Sequence, residues 1–199
     1  MEFQAFIFLY IIVIFSSIIH EYSHGWVAYV LGDPTAKNQG RLTLNPLAHI
    51  DPWGTILMPF LIMIISSFSI FFGYAKPVPF NPYNLKNQKR DTMLIALAGP
   101  LSNLAIALIL GLLVRFSIFP LLNDALSFVV LINIWFMLFN LLPFAPADGS
   151  KILAGILPYP WSNNLLNLNP FVGISVALMV AFWVLPWAAL FLVRLIIGA

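Results

Sequence analysis

Residues 3–31 read FQAFIFLYIIVIFSSIIHEYSHGWVAYVL, a run that is apolar and uncharged through residue 19, then carries His20, Glu21 and His24, then turns apolar again. A helix needs roughly 20 apolar residues to cross a bilayer, so this stretch predicts a long membrane helix with polar groups in its second half. Four more charge-free stretches follow at 52–75, 92–114, 125–147 and 152–193, the last most clearly from Phe171 onward. Of the 199 residues, 61% are hydrophobic and 8% charged, against about a quarter charged in an average soluble domain. That excludes a soluble globule and a disordered chain. The expectation is an all-α polytopic membrane protein, a transmembrane helix bundle forming one membrane-embedded domain over residues 1–199, with no cleavable signal peptide at its start. The net charge of +2 is too small and dispersed for a nucleic-acid partner. With no cysteine, disulfides and thiolate ligands are excluded, and any metal must be held by His, Asp or Glu.

The chemistry is concentrated in His20-Glu21-Tyr22-Ser23-His24. On a helix this H-E-x-x-H spacing puts both imidazoles on one face, one turn apart, where they can bind a single Zn²⁺. Glu21 then stands beside the open position as general base. Three ionisable groups within five residues of a membrane segment are costly and usually mark function. The competing interpretation, a packing or pore-lining cluster, does not account for the spacing.

A catalytic zinc usually takes three protein ligands. No Glu follows Glu21, and the residue six positions after His24 is Val30, so the third-ligand patterns of the soluble zinc proteases are absent. His49 and the aspartates remain. Asp33, Asp51, Asp91 and Asp124 lie at segment ends, where a solvated carboxylate is ordinary. Asp148 closes an uncharged stretch ending Asn140-Leu-Leu-Pro143-Phe-Ala-Pro146-Ala-Asp148-Gly149. Its prolines must break the helix, and broken helices at membrane depth line cavities, which favours Asp148 as ligand. In the 92–114 segment, Ala96, Gly99, Asn103, Ala107 and Gly111 form a stripe of small or polar residues suited to close helix packing. Asn103 and Pro100 are less readily explained by packing alone.

These elements together resemble the site-2 protease family of intramembrane zinc metalloproteases. The resemblance covers most of the chain. Ala98-Gly99-Pro100-x-x-Asn103 is similar to the family's central-helix motif, and Asn140-x-x-Pro143 with Asp148-Gly149 to its second zinc-ligand motif. It implies one Zn²⁺ per chain held by His20, His24 and Asp148, Glu21 as general base, and Asn140 near the scissile peptide, steadying the oxyanion or the substrate backbone. Where the family often has Leu-Asp-Gly-Gly and a basic residue, this chain has Ala147-Asp148-Gly149-Ser150-Lys151. It looks like a compact, core-only member.

If His20, His24 and Asp148 share one ion, the first and fourth segments must run in the same direction. A spanning 52–75 segment would oppose them, whereas a re-entrant hairpin, bending near Pro59 or Ser66-Ser67, removes the conflict; the prolines before Asp148 make its helix a proline-broken one. Lys37, Arg41, Lys76, Lys86, Lys89, Arg90 and Lys151 then share one side, leaving Arg115 and Arg194 on the other, so the positive-inside rule puts the site nearer the cytoplasmic face of a cell (plasma) membrane. In the loop at 41–52, His49 is either a turn residue or a gating and substrate-contacting one. The expected partners are the lipid bilayer and a transmembrane protein substrate. The expected activity is zinc-dependent endopeptidase hydrolysis in or near that substrate's membrane helix. An ion or proton transporter or channel with a His/Glu/Asp path, or a non-catalytic metal-binding scaffold, is the alternative.

Overall fold

The computed structural model describes residues 3–67, 73 and 75–198. Its helices are α1 (Phe3–Val30), α2 (Thr35–Asn38), α3 (Met58–Ile65), α4 (Gln88–Arg115), α5 (Asn123–Asn140), α6 (Asp148–Ile156), α7 (Trp161–Leu166), α8 (Pro170–Trp183) and α9 (Leu185–Ile197). In lipid every backbone polar group must be satisfied within the chain, so apolar runs of this length form helices. Three described helices are long and apolar enough to span, at Gln4–Val30, Gln88–Arg115 and Pro120–Asn140. The α8–α9 pair, bent by 54°, makes a fourth if taken as one span. The protein is thus a polytopic helical membrane bundle. The bend has a cause: Pro186 lacks the N–H that would continue α8 into α9.

At the centre α4 packs against α1, α5, α6 and α9. Its stripe of Ala96, Gly99, Asn103, Ala107 and Gly111 is buried along the whole helix, because small side chains let neighbouring backbones approach. Ala107 packs with Val130, Ile134 and Met137 of α5 and with Ala189 and Val193 of α9. At one end of the bundle Arg115 Nη1 donates to Leu195 O. At the other, a Cβ on Gly173 would collide with Ala145 O. The bent pair therefore runs the length of the bundle.

The segment after α1 does not cross. A π-type turn over Pro52–Leu57 leads into α3, and together they form an apolar helix only 14 residues long (Pro52–Ile65). Tyr10 donates to Thr55 O at 2.7 Å, fastening the turn to α1. The chain then returns: Lys76 N donates to His49 O at 3.0 Å, and a Cβ on Gly73 would lie 2.6 Å from Pro59. Ends that share a hydrogen bond lie on one side, so this is a re-entrant hairpin. Pro59 does not bend it. It falls where the π-type turn gives way to α3, and the helix continues through it to Ile65. α3 ends at Ser66, and Ser67 has φ +51. The remainder of the expected segment, 68–72 and 74, lies outside the described residues.

Beyond the hairpin, residues 75–81 form neither helix nor strand. They are tied down by Asp33, which is wholly buried and accepts from Thr35 N and Oγ1, Asn81 N and Asn84 Nδ2. Burial pushes the Asp33 carboxyl up, but those hydrogen bonds outweigh it and hold the group below the usual carboxylate range.

Two outcomes are expected. In this cysteine-free chain, single cysteines at the exposed Leu47 and Tyr83 should be labelled from the same side of the membrane, and opposite-side labelling would overturn the hairpin. Because the Asp33 carboxyl is held down, its stabilising contribution is full above the unfolded value of about 3.9 and is lost as pH falls toward the lower folded one. Hydrogen exchange at the Asn81 amide should therefore rise in acid in the parent chain, and already at neutral pH in Asp33→Ala.

Candidate metal centre

His20 and His24 occupy one face of α1, and both are buried. Among the described residues they form, with Asp148, a group whose ligand atoms all lie within 4.8 Å of one another. Asp148 Oδ2 is 3.1 Å from His20 Nε2 and 3.0 Å from His24 Nε2, and the two Nε2 atoms are 3.0 Å apart. Asp148 does not sit on α5, which ends at Asn140. It opens α6, after a non-helical run that carries Pro143 and Pro146. A Cβ on Gly149 would strike the carbonyls of Leu141 and Leu142, so glycine lets this break fold tightly enough to aim Asp148 at α1. The second carboxylate oxygen, Oδ1, meets Lys151 Nζ at 3.2 Å.

The partners behind the rings bear on whether a cation fits. His24 Nδ1 is 2.7 Å from Ile95 O, and a carbonyl can only accept, so Nδ1 carries a hydrogen and, in the neutral ring, Nε2 has the lone pair. His20 Nδ1 is 2.7 Å from Asn103 Oδ1, whose amide NH₂ is turned away toward Asn133 Oδ1 at 3.0 Å. In the neutral ring His20 Nε2 then also has the lone pair. With both rings neutral, two ring nitrogens and a carboxylate oxygen converge as lone-pair donors. Tetrahedral zinc with bonds of about 2.0–2.1 Å needs ligand atoms roughly 3.3 Å apart. The residues present fit that ion in both donor type and spacing.

α4 supplies the back wall. A Cβ on Gly99 would lie 2.5 Å from both Nε2 atoms, so only glycine lets the rings sit there. Pro100 removes one backbone donor from α4 beside the turn that presents Ile95 O. Glu21 follows His20 on the face toward the non-helical run, and its Oε2 accepts from Val78 N at 2.7 Å. A Cβ on Gly25 would touch Val78 Cγ1 at 2.8 Å, and Arg41 Nη2 holds the run by Lys76 O and Pro77 O at 2.7 and 3.2 Å.

Other sequence candidates lie elsewhere. Asn140 donates to Phe136 O within its own helix at 3.0 Å. His49 is outside the ligand group, at the hairpin base, with Nε2 donating to Thr43 O at 2.8 Å. Sequence reasoning missed Val78, Ile95, Asn133 and the Lys151 contact. The first two act through backbone atoms and leave no side-chain signal. Asn133, a buried amide in an apolar helix, could have been suspected from its polarity alone.

A membrane helix bundle that gathers two imidazoles, a carboxylate and a neighbouring glutamate has the ligand set of a catalytic metal protein. Comparison with known proteins agrees. The chain is 40% identical over 163 residues to the Bacillus subtilis protein named "Putative zinc metalloprotease YwhC", covering 76% of this chain and 69% of that one. It is 28% identical over 134 residues to the Mycolicibacterium smegmatis protein of the same description called Rip2, and 27% over 138 residues to Rip2 of Mycobacterium tuberculosis. This chain spans about half the length of the Rip2 proteins. No family model matches, and no solved structure matches significantly. The chain belongs to the zinc metalloprotease family that includes YwhC, and its helices make it a membrane metalloprotease.

Gly99→Ala, by pressing a methyl group onto both imidazoles, is expected to lower zinc affinity at least about tenfold. Asp148→Ala, which removes one of three ligands, should lower it further. Elemental analysis and chelator competition on protein purified in detergent would read both, and parent-like zinc binding in either variant would overturn the assignment.

Proposed function

We propose that this chain is an intramembrane zinc endopeptidase of the site-2 protease type, hydrolysing peptide bonds in or near transmembrane segments of membrane proteins within a single membrane-embedded domain. The observation that carries this reading is the convergence of three lone-pair donors, His20 Nε2, His24 Nε2 and Asp148 Oδ2, on one point beside Glu21 inside a membrane bundle. One zinc per chain, held by those three atoms, supplies polarisation of the scissile carbonyl and acidification of water.

Glu21 is the proton carrier. With Oε2 engaged by Val78 N–H, its other oxygen takes the proton from the attacking water and then delivers it to the leaving amine. Asn140 uses one Nδ2 hydrogen on Phe136 O, which leaves the second to steady the oxyanion or the substrate backbone. A helical substrate has its carbonyls hydrogen-bonded already and must unwind before attack. The non-helical run at 75–81 supplies a backbone edge for the unwound chain. Pro77 and Pro79 have no N–H and that of Val78 is committed, so over 77–79 this edge can offer only carbonyl acceptors. His49 and the Arg41 clamp anchor the edge from beneath. The distribution of Lys37, Arg41, Lys76, Lys86, Lys89, Arg90 and Lys151 against Arg115 and Arg194 supports a site nearer the cytoplasmic face of the plasma membrane.

Glu21→Gln keeps an acceptor for Val78 N–H while removing the base. It should lower cleavage of a reconstituted transmembrane substrate by about 10²- to 10⁴-fold and leave zinc content near the parent's. Unchanged cleavage would overturn the role of Glu21. Ion flux without proteolysis in the parent chain would favour an ion path.

A further inference from the structure

Behind His20, two asparagines on different helices are 0% exposed: Asn103 of α4 and Asn133 of α5. Asn133 Nδ2 donates to Val129 O, one turn earlier in α5, at 2.9 Å. That carbonyl has no hydrogen to give, so Asn133 must turn its NH₂ toward it and its oxygen toward α4. The oxygen meets Asn103 Nδ2 at 3.0 Å, which obliges Asn103 to point its own NH₂ at α5. A second hydrogen of that NH₂ is directed at Ser16 O, 3.5 Å away. Asn103 Oδ1 is left facing His20 Nδ1 at 2.7 Å, where an acceptor requires a hydrogen on the ring.

The geometry points to Asn133 as a positioning residue of the metal centre, one that acts through Asn103 to fix the tautomer in which His20 Nε2 presents its lone pair to a metal; this rests on the metal-site reading of His20, His24 and Asp148. Asn103 cannot fix its own orientation. Its contact with Ser16 O is long, and a flipped amide would offer NH₂ to His20 Nδ1. The ring would then carry its hydrogen on Nε2, pointing into the cluster where a lone pair is needed. Asn133 excludes that flip because its own amide is set by a backbone carbonyl. The arrangement also joins two ligands mechanically. α5 sets the tautomer of His20 from its middle and, through the break at 141–147, delivers Asp148 from its end. Ligand histidines commonly depend on such outer partners, and here the chain of partners is two amides long and crosses three helices.

The test is zinc affinity of the full-length chain in detergent, measured by competition with a chromophoric chelator. The proteins are the parent, Asn133→Leu, Asn103→Leu, the double variant and Asn133→Asp. Asn133→Leu and Asn103→Leu should each weaken binding by about 10- to 100-fold. If Asn133 acts through Asn103, the double variant should bind no more weakly than Asn103→Leu alone. Asn133→Asp, protonated in its apolar surroundings, keeps both an acceptor for Asn103 and a donor for Val129 O, and should bind close to the parent. Should Asn133→Leu fail to fold, Asn133→Thr replaces it, since its hydroxyl reaches Val129 O but not Asn103. Parent affinity in Asn133→Leu, multiplied losses in the double variant, or an Asp variant as weak as Leu would each overturn the relay. A parent that binds no zinc would overturn the metal site and the relay together. A parent weakened by Asp148→Ala but indifferent to Asn133→Leu would overturn the relay alone.

Discussion

Two imidazole nitrogens and a carboxylate oxygen are held 3.0–3.1 Å apart inside an apolar bundle. With the rings neutral, such an arrangement in surroundings of low dielectric is repulsive unless a cation draws the atoms together, so each of them is held from behind. Ile95 O and Asn103 Oδ1 orient the two rings, Gly99 gives them room against α4, and Lys151 engages the carboxylate oxygen that faces away. The central position of α4 follows from this. It carries the ring-orienting groups and the glycine wall, and it must touch α1 and α6 at the same depth.

The hairpin solves a second problem, that of direction. α1 and the break after α5 must bring their ends to one side, and a spanning segment between α1 and α4 would reverse one of them. A 14-residue helix (Pro52–Ile65) that returns to bond His49 O avoids this. It also lays a non-helical run against Glu21. Glu21 and that run are therefore coupled: Asp33 at one end and Arg41 toward the other fasten the segment whose Val78 N–H holds one oxygen of Glu21.

Much of this was legible in the residues. An apolar run with H-E-x-x-H in its second half specifies a helix, a face and a pair of candidate ligands, because helical periodicity converts spacing directly into geometry. The stripe on α4 was legible for the same reason, and the paired prolines before Asp148 announced a break, since proline weakens a helix interior. Less legible were the exact joints. The last segment reads as one span but bends at Pro186, and the hairpin bend falls after Ser66 rather than at Pro59.

The sequence by itself determined the class of environment and pointed to the two histidines with their glutamate, to the approximate place of the proposed third ligand and, through charge and parity, to a hairpin. All of these depend on local periodicity or on composition along one segment. Tertiary structure alone decided which atoms orient those ligands. Val78 N, Ile95 O and Asn103 Oδ1 reach the site from 57, 71 and 83 residues along the chain from their partners, and Asn133 stands 30 residues beyond Asn103. A hydrogen-bond direction imposed by a backbone carbonyl on a distant helix has no counterpart in spacing or hydropathy, and it exists only once the helices are packed.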